Sequence, residues 1–127
     1  LAKNLPHDLA ICLQGPVGAG KTLFASALIK ALGAKTQATS PTFNLLSLHK
    51  AENRAILHLD AYRLDDQITE DILGLDDLME SPWLLIVEWP QNVISLIPSN
   101  AWWLYFEIGE ENERLLRLED SIVPPPN

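Results

Sequence analysis

Eight consecutive residues carry the clearest chemistry in this chain. Gly15-Pro16-Val17-Gly18-Ala19-Gly20-Lys21-Thr22 fits G-x-x-x-x-G-K-[ST] without a mismatch. Glycines let a backbone turn tightly and aim its N–H groups inward at phosphate oxygens. A helix starting at the loop adds its own free N–H groups and the positive end of its dipole. Lys21 is then expected on the β- and γ-phosphates, and the Thr22 hydroxyl on Mg²⁺. The nucleotide-binding set on this reading is Gly15, Gly18, Ala19, Gly20, Lys21, Thr22 and Leu23. The bland alternative is a glycine turn that binds nothing.

Such a site needs an acid at the end of a neighbouring strand to hold Mg²⁺ or its waters. Two acids end apolar runs: Asp60 in Ala-Ile-Leu-His-Leu-Asp, and Glu88 in Leu-Leu-Ile-Val-Glu. Both can emerge at one sheet edge, so both are candidates beside Lys21. His58 shares the strand face of Asp60, and a packed core histidine is the preferred reading over a catalytic one. Arg63 has two equal readings, one on transferring phosphate charge and one as a helix cap or partner of the acids after it. A guanine reader would carry an Asn/Thr-Lys-x-Asp element; the chain has none, which favours ATP.

The elements that must position these groups follow from pattern. Asp8–Gln14 reads as a buried strand running into the loop. Lys21 to Leu32 reads as a helix, with Leu23, Phe24, Ala27, Leu28, Ala31 and Leu32 at helical spacing and Gly33 as its stop. Thr36 to Pro41 reads as a polar connector. Phe43 to His49 and Ala55 to Leu59 read as strands around a turn at residues 50–53. Asp65 to Glu80 reads as mostly helical, broken near Gly74. Leu84–Val87, Trp102–Ile108 and Leu115–Leu118 read as later strands. The sum is an α/β fold, a mixed central sheet flanked by helices. One domain is expected over residues 1–121, with a frayed Pro-rich tail at 122–127.

Composition bounds the function. The chain has 127 residues, 47% of them apolar and 20% charged, ordinary for one globular domain. No run reaches the roughly 18 to 20 apolar residues of a membrane span. The single cysteine, Cys12, excludes an intrachain disulfide and reads as a small buried hydrophobe, which suits a cytoplasmic location. The formal charge of −8, with only nine scattered basic residues, argues against unaided gripping of nucleic acid. Seven acids crowd residues 65–80, as a solvated face or as a docking surface for a basic partner. The chain opens on Leu1-Ala2-Lys3-Asn4-Leu5, which reads as the end of a helix, so the protein is expected to begin earlier.

Five motifs occur in order: Gly18-Ala19-Gly20-Lys21-Thr22, Ser40-Pro41-Thr42-Phe43, His58-Leu59-Asp60-Ala61-Tyr62-Arg63-Leu64, Leu73-Gly74-Leu75 and Ile86-Val87-Glu88-Trp89-Pro90. Together they resemble the TsaE (YjeE) family, over about residues 1–108. The resemblance implies a P-loop ATPase serving the threonylcarbamoyladenosine modification of tRNA. It implies action on the TsaB and TsaD proteins, with tRNA met only indirectly, and ATP with Mg²⁺ as the nucleotide. It assigns Glu88 to the metal with Thr22, and Asp60 to catalysis, with positioning of the attacking water as its role. It assigns Thr42 to a switch-like segment near the γ-phosphate and Trp89 to the nucleotide site, although packing is an equal reading of Trp89. Pro16 and Val17 stand where the family usually has Asp-Leu, and Leu23 where it has a second Thr. On that resemblance, the family's opening strand and the start of its first helix are expected to precede Leu1. A small-molecule kinase and a non-hydrolysing nucleotide binder remain as alternatives. Only four arginines are present and no basic lid segment, which disfavours the kinase.

Overall fold

The structure, a computed structural model, describes residues 5–34, 36–39, 46–65, 74–109 and 114–119. Seven strands form one sheet: β1 (Leu9–Gln14), β2 (Thr36–Thr39), β3 (Leu46–Ala51), β4 (Arg54–Asp60), β5 (Trp83–Glu88), β6 (Trp102–Ile108) and β7 (Arg114–Glu119). Their spatial order is β2-β3-β4-β5-β1-β6-β7. The inner four, β4-β5-β1-β6, run parallel. Antiparallel pairs close both flanks, β2 and β3 against β4 on one side and β7 against β6 on the other. The expected mixed α/β sheet is therefore the fold.

The central strands are apolar along their whole length because both faces are covered. On one face, Leu9, Ile11, Leu13, Ile56 and Ile86 pack against α1 (Lys21–Ala31) through Ala25, Leu28 and Ile29. On the other, Cys12, Leu57, Leu59, Leu85 and Val87 pack against the short α2 (Leu75–Leu78) and a 3₁₀ segment, Pro90–Leu96, through Leu75 and Val93. Cys12 is fully buried and burial pushes its thiol pKa up, so it is the inert hydrophobe expected.

Two expectations need correction, and one element is new. Residues 36–39 are not a connector but an edge strand paired with β3. The apolar face of α1 is rotated: Ala25, Leu28 and Ile29 are buried, whereas Leu23 is 78% exposed and Ala27 and Ala31 face solvent. The 3₁₀ segment after β5, kinked at Val93, was not foreseen. The tail at 122–127, Thr42, and the acids at 66–73 lie outside the described residues.

The candidate phosphate site

Parallel strands order the site. β4, β5 and β1 are adjacent and end together, in register Asp60↔Glu88 and Leu13↔Glu88. Asp60, Glu88 and the loop that leaves β1 thus meet at one sheet edge, although up to 73 residues separate Gly15 and Glu88 in the chain. In open α/β sheets the crevice beyond the carboxyl ends of the strands is where ligands bind.

The loop's conformation depends on its glycines at two points. Gly20 caps α1 with φ +103°, in the left-handed region that other residues avoid. Gly15 has no room for a side chain: a Cβ there would sit 2.4 Å from the Phe106 carbonyl oxygen on β6. The first helical bond runs from the Phe24 N–H to the Gly20 carbonyl at 2.9 Å. The N–H groups of Lys21, Thr22 and Leu23 therefore have no intrahelical acceptor and stand at the loop mouth. Phe24 locks the helix start from behind by an edge-to-face contact with Phe106, 5.6 Å between ring centroids, worth about 0.5–1.5 kcal/mol beyond area burial.

Lys21 is only 5% exposed. Its Nζ donates to the Gly15 carbonyl and lies 3.4 Å from the centre of the Trp89 ring. Burial lowers its pKa; the charges of Glu88 and Asp60 oppose that shift. Thr22 Oγ1 donates to Glu88 Oε1 at 2.7 Å, and His58 Nε2 lies 2.6 Å from Glu88 Oε2. Burial pushes the Glu88 pKa up. The hydrogen bonds from His58 and Thr22, with the charges of His58 and Lys21, outweigh it, so the net shift is downward. Glu88 is thus an ionised carboxylate in a 3% exposed position.

Trp89 leaves β5 in the left-handed conformation, φ 60° and ψ 50°, a strain of roughly 1–3 kcal/mol for a non-glycine residue. The sharp turn puts its indole across the loop mouth, 5.0 Å from the Tyr62 ring. Asn92 braces the same corner, donating from Nδ2 to the carbonyls of Ala61 at 3.0 Å and Tyr62 at 3.2 Å. The Tyr62 N–H donates to Asp60 Oδ1 at 3.1 Å, which fixes how that carboxylate is turned.

These groups enclose a cleft of about 360 Å³, within the range of small-ligand sites. Val17, Gly18 and Gly20 to Leu23 form one wall; Asp60, Tyr62, Glu88 and Trp89 form the other. Of the sequence-derived set, Gly18, Gly20, Lys21, Thr22, Leu23, Asp60, Glu88 and Trp89 come together there. Gly15 and Ala19 lie behind the wall as its support. Arg63 is exposed and does not line the cleft. Trp89 lines the cleft as well as packing against Tyr62. His58 corrects the preferred reading of a packed core histidine, because its ring nitrogen is spent on Glu88. Tyr62 and Asn92 were missed; the Asp60-Ala61-Tyr62 spacing was the available signal for Tyr62, and Asn92 had none. Among the described residues no three His, Cys, Asp or Glu side chains form an independent metal site. The oxygen donors Thr22 and Glu88 instead suit Mg²⁺ arriving on phosphates, since that ion prefers one or two carboxylates plus phosphate oxygens and water.

Residues 1–116 match the family model described as threonylcarbamoyl adenosine biosynthesis protein TsaE. A Rickettsia felis protein named tRNA threonylcarbamoyladenosine biosynthesis protein TsaE is 35% identical over 116 residues, 91% of this chain and 67% of its own length. A protein of the same name from Aquifex aeolicus is 34% identical over 125 residues, 93% of this chain and 82% of its own. The crystal structure of YdiB from Bacillus subtilis superposes with a TM-score of 0.69 at 21% identity, covering 91% of this chain and 70% of that one, and so shares its fold. The chain spans about two thirds of the Rickettsia felis protein.

Proposed function

The chain belongs to the TsaE family, and from that premise we propose that it binds ATP with Mg²⁺ in the Gly15–Thr22 cleft and hydrolyses it in the service of tRNA threonylcarbamoyladenosine synthesis. The observation that carries the reading is the convergence of Lys21, Thr22, Asp60 and Glu88 around one cleft at the ends of three adjacent parallel strands. Main-chain N–H groups at the start of α1 cradle phosphate oxygens. Lys21 leaves the Gly15 carbonyl for the β- and γ-phosphates and offsets their charge. Thr22 and Glu88 would hold Mg²⁺, which would screen the charge of the phosphates. Asp60 accepts from the Tyr62 N–H on one oxygen, and its other oxygen orients the attacking water. Water oxygen bonds to the γ-phosphorus and gives up a proton to a phosphate oxygen, the bond to the bridging oxygen breaks, and ADP leaves with the electron pair.

The partners on this reading are the TsaB and TsaD proteins, with tRNA met only through them, in the cytoplasm. The formal charge of −8 suits a helper protein better than a direct tRNA reader. No helix among the described residues is long and apolar enough to cross a membrane. The test is ATP hydrolysis by this chain alone and with the TsaB–TsaD pair of the same organism, beside Lys21→Ala. The expected result is slow turnover alone, a clear rise with the pair, and loss in the variant. ATP binding without turnover in any mixture would instead make the protein a silent nucleotide binder. Unchanged stimulated turnover in Lys21→Ala would remove the site from the cleft.

A further inference from the structure

His58 lies outside the cleft, yet it makes one of the shortest polar contacts of the site. It sits on β4 two residues before Asp60, and strand pairing matches it to Ile86 as Asp60 is matched to Glu88. His58 is therefore one pleat behind Glu88 on the face that α1 covers. On that face the neighbours along β4 and on β5, Ile56 and Ile86, are fully buried and apolar, while β3 places Ser47 opposite His58 and His49 opposite Ile56. What the histidine adds is a donor. An ionised carboxylate only accepts hydrogen bonds, so Nε2 carries the proton and donates to Glu88 Oε2.

We propose that His58 is a positioning residue that clamps Glu88 from behind, so that Oε1 stays turned toward Thr22 and the Mg²⁺–phosphate end of the cleft. The inference rests on the ATP–Mg²⁺ reading of that cleft. Glu88 has a donor on each oxygen, Thr22 on Oε1 at 2.7 Å and His58 on Oε2 at 2.6 Å. The two differ in consequence. The Thr22 bond faces the cleft, where the hydroxyl oxygen would also offer a lone pair to Mg²⁺, whereas His58 is not among the residues that line the cleft. The histidine bond would therefore fix the carboxylate's rotation from the side that nucleotide and metal would not occupy. Partners that orient metal-binding carboxylates from behind typically change metal affinity by about 10- to 100-fold when removed.

The experiment is equilibrium ATP binding by calorimetry, in a Mg²⁺ series and in EDTA, for the wild type, His58→Ala and His58→Gln. The expected outcome for His58→Ala is a Mg²⁺ requirement raised about tenfold, with EDTA-state ATP affinity within about twofold of wild type. His58→Gln, whose amide can donate to the same oxygen, is expected to recover most of the loss. Should His58→Ala not fold, His58→Leu fills the space without a donor and is expected to show the same Mg²⁺ defect. The proposal is overturned by an unchanged Mg²⁺ requirement, by equal loss with and without Mg²⁺, or by no difference between the glutamine variant and the donor-free one. If the wild type itself binds no ATP in Mg²⁺, the reading of the cleft falls, and the clamp with it. If the wild type binds and the donor-free variant matches it, only the clamp falls.

Discussion

Replacing Gly15 by alanine tests whether the loop is held in place by β6. The added methyl carbon would stand 2.4 Å from the Phe106 carbonyl oxygen and 2.9 Å from the Phe106 Cβ, about 1 Å inside ordinary contact. The carbonyl is backbone of a strand paired on both sides, so it cannot swing aside as a flexible side chain would. Gly15 also has φ +156°, at the edge of the region L residues avoid. Overpacking of about 1–3 kcal/mol plus backbone strain of roughly 1 kcal/mol or more gives an expected loss near 2–4 kcal/mol. In a chain of this size that lowers Tm by about 10 °C. If the loop yields instead, it moves by about 1 Å, enough to cost on the order of 100-fold in a positioned reaction. Urea unfolding and ATP calorimetry separate the two routes. Gly33→Ala is the control: its φ of +81° is strained, but a Cβ there meets nothing within 4 Å. It should cost about 1 kcal/mol and leave ATP affinity alone. Wild-type stability together with wild-type ATP affinity in Gly15→Ala would refute the close approach of loop and strand.

Glu88→Gln should narrow its stability gap to wild type as pH falls. The folded-state pKa of Glu88 lies below its ordinary value, so its contribution is present above about pH 4.5 and lost as pH drops through the folded value. Urea unfolding at pH 7 and in steps below pH 4.5 checks this; a gap independent of pH would contradict it. Trp89→Phe should abolish the emission change caused by ATP–Mg²⁺, because Lys21 leaves the Trp89 ring when it takes phosphate. Persistence of the change through Trp83, Trp102 or Trp103 would count against that movement. Asn92→Ala removes two bonds to the Tyr62 corner, so it should cost about 1–2 kcal/mol of stability and lower kcat more than it raises KM. Wild-type kcat in a folded Asn92→Ala protein would show that the corner needs no brace.

Local chemistry explains what was readable along the chain. The loop from Gly15 to Thr22 is contiguous, and its residue types state the backbone it must adopt, so its role needed no partners to infer. The buried strands ending at Gln14, Asp60 and Glu88 were visible because strands covered on both faces are apolar throughout. The edge strand at residues 36–39 was not, since Thr-Gln-Ala-Thr has no apolar alternation and only pairing with β3 reveals it. The rotation of α1 was also hidden. Leu23, Ala27 and Ala31 make as good a stripe as Ala25, Leu28 and Ile29, and the choice falls to the loop, which turns Lys21 inward and leaves Leu23 outside. His58, Tyr62 and Asn92 join the site through contacts 27 to 31 residues apart in the chain, or across a corner made by β4 and the 3₁₀ segment. Such contacts depend on strand order and register. Those are settled by how seven strands and their covering helices bury one sheet together, a condition no short stretch of sequence contains.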